Sequence, residues 1–192
     1  MHPSMMLGDG EWLAHKHKTS NKRRSWRKLH LGIDGAGLIV ASELTESGVD
    51  DSSVAAKMVD GLHASIERFA ADGAYDTRAM YAAPETAGAP GLNVAIPPKR
   101  TAAVEPDAVG AWRQRNEALK RIAQVGRRQW RKESGAHKQA RAENGMFRYK
   151  RIIGDRLRAK KVDAQAREAM IGVNVLNRMT ALGMPESARI DT

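Results

Sequence analysis

The amino-acid sequence predicts an α/β fold in which a small mixed sheet carries helices on its faces. Short segments such as residues 25–34 alternate apolar and polar side chains, the period of a strand with one buried face. A spacing of four residues, typical of one buried helix face, is shared by Val54, Met58, Leu62 and Ile66. Strand-like segments end near residue 106, and only helical patterns follow. Strands that alternate with helices and then give way to helices predict a single α/β domain.

The first part of the chain is predicted to form a hairpin followed by a helix. Residues 25–34 are the first strand, residues 34–37 have the composition of a tight turn, and residues 38–41 begin the second strand. Asp50, Asp51, Ser52 and Ser53 precede or begin the helical spacing, and such side chains offer N-caps and first-turn acids to a helix. The helix is therefore expected to begin within these four residues and to run toward Ile66.

The remaining elements follow from short apolar runs and from helical spacing. A strand at residues 69–71 stops at Asp72, and a helix is expected at residues 76–87. The strand at residues 92–96 ends where two prolines remove backbone donors. Three further helices are predicted at residues 107–125, 138–153 and 163–182.

The composition favours a soluble protein that binds a polyanion. The chain has 192 residues, with 32 Lys and Arg against 22 Asp and Glu and a formal net charge of +10 at pH 7. This balance favours nucleic acid over an anionic membrane surface. The absence of cysteine excludes a disulfide scaffold and a thiol nucleophile. No apolar stretch approaches the roughly 20 residues of a spanning helix, so we expect no membrane partner and a cytoplasmic, nucleoid-associated location.

The positive charge is concentrated on both sides of an acidic middle region. Seven cations and no acid lie between Trp12 and Ile33, and residues 113–161 hold 17 Lys and Arg against four acids. One interpretation is a solvated basic surface beside an ordinary acidic domain. The other is a core that carries carboxylates between two basic segments that follow a phosphate backbone. Composition alone leaves both interpretations open.

Two acidic residues are candidates for a site. Asp72 stands at a predicted strand end before a glycine, where a carboxylate can hold Mg²⁺ or can simply cap a turn. Glu143 lies in the most basic region, and on a helix it shares one face with Met146, Phe147 and Lys150. Glu143 is then either half of a helix ion pair or a ligand directed into a site. In the second case Lys150 would hold a substrate phosphate as a point charge.

Six segments that follow one another along the chain together resemble a known family. They are Gly10-Glu11-Trp12, Trp26-Arg27-Lys28-Leu29-His30-Leu31, Ala71-Asp72-Gly73-Ala74-Tyr75-Asp76-Thr77, Ile96-Pro97-Pro98-Lys99, Arg141-Ala142-Glu143-Asn144 with Phe147-Arg148-Tyr149-Lys150, and Leu176-Asn177-Arg178-Met179. Over about residues 8–190 the chain resembles the bacterial insertion-sequence transposases of the DDE type, in the group of insertion sequences four and five. The resemblance implies an RNase H-like catalytic core in which Asp72 is the second catalytic aspartate and Glu143 the catalytic glutamate.

The resemblance also implies an activity, a cofactor and partners. The reaction is DNA transposition by metal-assisted phosphoryl transfer, with Mg²⁺ or Mn²⁺ held by Asp72 and Glu143. The partners are DNA, as transposon ends and target, and further copies of the chain in a homo-oligomeric active complex. The basic residues expected to contact DNA are Lys150, Arg148, Arg141, Lys28, Arg27, Arg24 and Arg23.

Two departures from the family pattern lower the expected activity. The family's first aspartate lies shortly before the segment found here at residues 8–12, which places it just before Met1. We therefore expect a truncated transposase that lacks its first strand, with a basic remnant at residues 1–24, a partial core at 25–182 and a tail at 183–192. The family often has Tyr and Arg where this chain has Ala136 and Gln139. The alternative function is a non-catalytic DNA-binding fragment that occupies transposon ends or inhibits full-length transposase.

Other side chains receive simpler interpretations. The histidines of His15-Lys16-His17 are expected to face solvent because no third metal ligand accompanies them. His30 alternates with apolar neighbours on its strand and is expected to face outward, where a DNA contact stays open. Trp112 and Trp130, each beside an arginine, either stack on a base or cover the helices.

Overall fold

The predicted hairpin forms the larger part of a three-stranded sheet in the computed structural model, which describes residues 2–7, 26–62, 66–86 and 91–183. Strands β2 (Trp26–Ile33) and β3 (Ile39–Glu46) pair antiparallel. Asp34 closes the turn between them, because its Oδ1 accepts hydrogen bonds from the Ala36 and Leu38 amides, each at 2.9 Å. Gly37 takes a positive φ of 88° there, a conformation that favours glycine. The hairpin prediction is confirmed.

The expectation that residues 1–24 contribute no strand to the sheet was wrong. Strand β1 (His2–Leu7) pairs antiparallel with β2, with Ser4 opposite Leu29, so the sheet has the order β1-β2-β3. The segment expected to be a remnant without an element of its own therefore contributes a strand. Residues 2–7 lack a clear alternation, and their strand is defined by the ladder with β2. A strand of this kind is a tertiary property that the local pattern does not reveal.

Helices cover both faces of β2. On one face Leu29 and Leu31 are buried against α4 (Ala140–Ile152) and α5 (Val162–Leu182), in a cluster with residues such as Tyr149, Val173 and Leu176. On the other face lies α1 (Asp51–Asp60), which begins at the predicted cap, since Asp50 Oδ2 accepts a hydrogen bond from the Ser53 amide at 2.9 Å. A strand covered on both faces has no solvent-facing side.

His30 accordingly does not face outward, and that expectation was wrong. It is fully buried on the face of β2 that α1 covers, and its Nε2 lies 2.9 Å from Thr45 Oγ1. The next residue toward the strand's start on the same face, Lys28, forms an ion pair with Asp51 at the beginning of α1. Alternation in the sequence showed that His30 opposes Leu29 and Leu31, but it did not show that a helix covers the opposite face.

A second, smaller sheet carries the middle of the chain. Strands β4 (Arg68–Ala70) and β5 (Asn93–Ala95) pair parallel, joined by α2 (Arg78–Thr86). The five strands within the described residues thus divide between two sheets, whereas the sequence predicted one mixed sheet. Val54 and Met58 of α1 pack with Tyr75 and Val94, so α1 lies between the two sheets. An α/β architecture with small sheets and flanking helices is confirmed.

The C-terminal half is helical, as predicted. Helix α3 (Trp112–Ser134) is longer than expected and continues through a non-helical residue, Gly126, with φ 78° and ψ 158°. Helix α5 is tied to the hairpin by Asn177, whose side chain accepts from the Ile39 amide and donates to the Ile39 carbonyl, each at 2.8 Å. None of the helices within residues 51–62, 66–86 and 91–183 combines the length and apolar character needed to cross a bilayer.

The close approach of α4 and α5 predicts an intolerant glycine. A Cβ atom at Gly172 would lie 2.6 Å from Tyr149 Oη and 2.9 Å from two atoms of the ring, whose hydroxyl donates to the Ala169 carbonyl. Gly172→Ala is expected to lower the free energy of unfolding by about 1–3 kcal/mol, measured by urea denaturation. Gly48→Ala is the control, because nothing lies within 4 Å of its Cβ position. Equal stability of the two variants would contradict the predicted clash.

The buried imidazole predicts a loss of stability in acid. Burial lowers the pKa of His30 below its ordinary value of 6.5, against the opposing effect of Asp51. The unfolded chain therefore binds more protons than the folded chain once the pH falls below 6.5, so stability is full above this pH and declines below it. Urea unfolding across this range is expected to show the decline in the wild type and in the exposed control His137→Asn. A decline of unchanged size in His30→Asn would contradict the assignment.

Candidate active site

Asp72 lies at the carboxyl end of β4, as the sequence predicted. It begins the 3₁₀ turn Gly73–Tyr75, and its Oδ1 accepts a hydrogen bond from the Ala74 amide at 2.7 Å. The residue is half-buried, and this bond uses one of its two carboxylate oxygens. The capping role that competed with the ligand role is therefore real. It leaves Oδ2 as an oxygen that a cation can use.

The turn after Asp72 is pressed against the loop that follows β5. A Cβ atom at Gly73 would lie 3.1 Å from the Pro97 carbonyl oxygen, so a larger residue would push the turn away from this loop. From the other side, Arg127 of α3 donates to the carbonyls of Pro98 at 2.6 Å and Lys99 at 3.1 Å. The loop that contains Pro97 and Pro98 thus limits how far the Asp72 turn can shift toward it.

A buried ion pair closes the other end of the same turn. The Asp76 side chain is fully buried, and its Oδ1 lies 2.9 Å from Nε of Arg115, which is 9% exposed. Asp76 Oδ2 accepts from the Lys99 amide at 2.9 Å, and Arg115 Nη1 donates to the Ala103 carbonyl at 3.3 Å. Both oxygens of Asp76 are therefore occupied by partners within the fold, so this acid positions the turn and is not available as a ligand.

The two tryptophans left open by the sequence cover the helices. The Arg115 guanidinium lies 4.6 Å from the centroid of the Trp112 ring, whose Nε1 donates to Glu105 at 3.0 Å. Trp130 is buried beside Ala95 and Ala136. Cation–π packing of this kind holds the guanidinium in its buried position. Both rings are therefore engaged with protein groups.

Negative charge gathers around Tyr75 in the core beside Asp72. Burial raises the pKa of the Tyr75 hydroxyl, and Asp51, Asp72 and Asp50 add to the effect. The hydroxyl oxygen is itself buried and has no hydrogen-bond partner within the described residues. The carboxylates at the start of α1 therefore act on the same region as Asp72, although Asp51 also pairs with Lys28 at 3.0 Å.

Glu143 lies in the first turn of α4 and is exposed. It lines a surface pocket together with Arg131, Ala136, His137, Gln139 and Ala140. Ala136 in turn is buried in a small apolar cluster against which Ala70 of β4 packs. Ala136 thus lines the pocket beside Glu143 and also packs against Ala70 in β4, the strand that precedes Asp72. Phe147 and Lys150, predicted to share its helix face, are exposed, whereas Met146 is buried.

The basic residues predicted to contact DNA differ in how they are engaged. Arg27 pairs with Glu46 at 3.0 Å, and its side chain is 14% exposed. Lys28 pairs with Asp51, and Arg148 donates to Thr180 at 3.0 Å. Arg141 donates to the Gly35 carbonyl at 2.8 Å but is exposed. Lys150 is exposed and has no partner within the described part of the chain, and Arg23 and Arg24 lie outside that part.

The comparison with protein families agrees with the resemblance. Residues 3–178 match the family model described as the transposase DDE domain. The chain belongs to the DDE transposase family. No solved structure matches this transposase. Enzymes of this family transfer nucleic acid strands and use divalent metal ions.

The described part of this transposase offers carboxylate oxygens but no compact cluster of metal ligands. Within residues 26–62, 66–86 and 91–183 there is no cluster of three His, Cys, Asp or Glu side chains around one position. Mg²⁺ is commonly bound by one or two carboxylates, with waters and substrate phosphates completing the octahedron. Asp72 keeps one carboxylate oxygen without a hydrogen bond and the Glu143 carboxylate is exposed, so both are oxygen donors of the type that Mg²⁺ prefers.

Asp76 and Arg115 were not among the site residues predicted for this transposase. Asp76 belongs to one of the six family segments, where a second acid four residues after Asp72 was the available signal. Its partner lies 39 residues further along the chain. Nothing in local spacing connects the two residues, so their pairing appears only in the folded chain.

The ion pair predicts that its mutations lower the stability of the fold by large and non-additive amounts. Asp76→Asn or Arg115→Met is each expected to lower the free energy of unfolding by about 3–5 kcal/mol, because each removes the close partner of a buried charge and leaves Arg115 only the more distant Glu105, at 3.7 Å, or Asp76 no paired cation among the described residues. The double variant is expected to lose less than the sum of the single losses, since neither charge is then stranded. The exposed pair Arg121–Glu133 is the control, and its Gln variants are expected to lose far less. Urea denaturation measures all of these, and strictly additive losses would contradict a coupled pair.

Proposed function

We propose that this chain acts as the transposase of a bacterial insertion sequence, binding DNA and cleaving and joining its strands with the help of Mg²⁺ or Mn²⁺. Asp72 and Glu143 hold the ion in this proposal, and the core is RNase H-like. Its partners are the transposon ends, the target DNA and further copies of the chain, in association with the nucleoid. The antiparallel order β1-β2-β3, followed by a parallel pair and a helix that carries Glu143, supports the RNase H-like assignment.

One observation carries the assignment of Asp72 and Glu143. Ala70, two residues before Asp72, packs against the cluster that contains Ala136, and Ala136 lines the pocket that Glu143 also lines. The cluster connects the strand that precedes Asp72 with the pocket that Glu143 lines, although neither acid belongs to the cluster itself. A strand end and a helix start linked in this way are a suitable frame for two carboxylates that share one ion.

The residues of the chain have separate tasks in this mechanism. Asp76 and Arg115 hold the turn that presents Asp72, and the Pro97 carbonyl lies close to this turn at Gly73. Lys150 lies two helical turns after Glu143 and is placed to attract a phosphate of the bound strand. A bound divalent ion supplies Lewis-acid activation of the attacking hydroxyl and neutralises charge on the phosphate.

A second candidate function is a non-catalytic DNA-binding fragment that occupies transposon ends or inhibits full-length transposase. It is favoured by the lack of any three-acid cluster in the part of the chain that the structure describes. With two carboxylates the ion would be held loosely. We therefore propose that catalysis by this chain alone is weak.

The test is a nicking assay on supercoiled DNA with Mn²⁺ or Mg²⁺. Asp72→Asn and Glu143→Gln are each expected to lower the nicking rate by about 100-fold or more, because ion activation is worth several kcal/mol. Asp155→Asn, which removes the same charge from an exposed acid between α4 and α5, is expected to leave the rate unchanged. Mn²⁺ binding by the three variants, followed by electron paramagnetic resonance, is expected to show the same order.

The outcomes separate the two functions. Nicking that survives in Asp72→Asn would overturn the catalytic assignment. DNA binding that is indifferent to Mn²⁺, with nicking absent in the wild-type chain, would favour the non-catalytic fragment.

A further inference from the structure

We propose that the DNA backbone reaches Glu143 along one face of the C-terminal segment of α3, formed by Arg128, Arg131 and Lys132 and called here the Arg131 face. The inference rests on the proposed function and names the surface by which that function engages its substrate. The expectation drawn from the sequence named other cations for the DNA contact, which are Lys150, Arg148, Arg141, Lys28, Arg27, Arg24 and Arg23.

The segment that carries this face is a structural unit of its own. Gly126 interrupts α3 with a positive φ of 78°, so residues 127–134 change direction relative to the first part of the helix. Two side chains attach the segment to the core. Arg127 donates to the carbonyls of Pro98 and Lys99, and Trp130 is buried beside Ala95 and Ala136. These anchors fix the orientation of the remaining side chains.

Another side of the segment is occupied by an ion pair within α3. Arg121 Nε lies 2.8 Å from Glu133, and Gln129 donates to the same carboxylate at 3.1 Å. The one acid of the segment is therefore turned toward the preceding part of α3. It does not neutralise the cations on the Arg131 face.

The Arg131 face consists of cations without partners. Arg128, Arg131 and Lys132 occupy positions i, i+3 and i+4, which superimpose on one helix face. All three are exposed, and none of their charged side-chain groups makes a hydrogen bond or ion pair within the described residues, although the Arg131 backbone carbonyl lies 2.9 Å from Nδ1 of His137. Like charges at this spacing repel one another, so the binding of phosphates to this face would relieve the repulsion. Arg27, Lys28 and Arg115, in contrast, form ion pairs with carboxylates of the protein itself.

The face leads directly to the proposed site. Arg131 lines the same surface pocket as Glu143, with His137 between the two elements that carry them. A phosphate held by Arg131 therefore lies at the edge of the pocket that the Glu143 carboxylate enters. The regular spacing of phosphates along a DNA strand suits three cations on one helix face, and such contacts are independent of base sequence.

The first experiment measures how the affinity for a fluorescein-labelled DNA duplex depends on salt, in EDTA so that no cleavage occurs. The triple variant Arg128→Gln, Arg131→Gln, Lys132→Gln is expected to reduce the slope of log K against log salt by roughly 2–3, since each lost phosphate contact removes about 0.9. The matched control removes three exposed cations before α5, as Arg158→Gln, Lys160→Gln, Lys161→Gln. Its slope is expected to change by less than about 1. Equal changes in the two triple variants, or an unchanged slope in the first, would overturn the proposal.

The second experiment locates the contact without altering the charge of the whole face. The natural chain has no cysteine, so Arg131→Cys and Lys161→Cys each carry a single thiol for a photo-crosslinker. Crosslinking to DNA is expected to be at least about fivefold more efficient from position 131, as a direct phosphate contact requires. Equal efficiency from the two positions would overturn the proposal even if the triple variant had lost its fold.

Failure of the surface and failure of the proposed function remain distinguishable. Nicking by the wild-type chain together with equal slopes would leave the catalytic assignment intact and reject the Arg131 face. The expected slopes and crosslinks together with no nicking in Mn²⁺ would support the face and reject catalysis. A wild-type chain that binds no DNA would reject the face directly.

Discussion

The buried ion pair between Asp76 and Arg115 is the constraint on which the proposed site depends. It joins three separate segments: the turn that begins at Asp72, the loop after β5 and the first part of α3. A carboxylate and a guanidinium are removed from water only where further hydrogen bonds satisfy them, and here the Lys99 amide and the Ala103 carbonyl do so. Because misplacing any one segment would strand a buried charge, the pair makes the position of the Asp72 turn specific.

The positive charge of the chain has two uses, and the structure separates them. Arg27, Lys28 and Arg115 hold elements together through carboxylates and are largely withdrawn from solvent. The cations of the Arg131 face are exposed and unpaired within the described residues. Only the second group can neutralise a ligand without first giving up a partner. Each internal ion pair adds nothing to the net charge of +10, which therefore reflects cations outside such pairs.

Much of the fold could be predicted because its signals are local. Alternation and turn composition sufficed for the hairpin, and fourfold spacing sufficed for α1. The failures concern β1 and His30. A strand such as β1 is defined by its partner β2, and the burial of His30 is decided by α1, which packs on the face that a half-buried strand would leave to solvent. Neither partner is visible in the segment itself.

The sequence by itself determined the family and singled out Asp72 and Glu143, because these depend on the identity and order of residues in short segments. It also predicted the strand end at Asp72 and the helix that carries Glu143. Only the tertiary structure decided that Asp76 is a positioning acid and which cations remain unpaired. The physical reason is that pairing and burial are relations between residues distant in the chain, such as Asp76 with Arg115 or Ala70 with Ala136, and they exist only after folding.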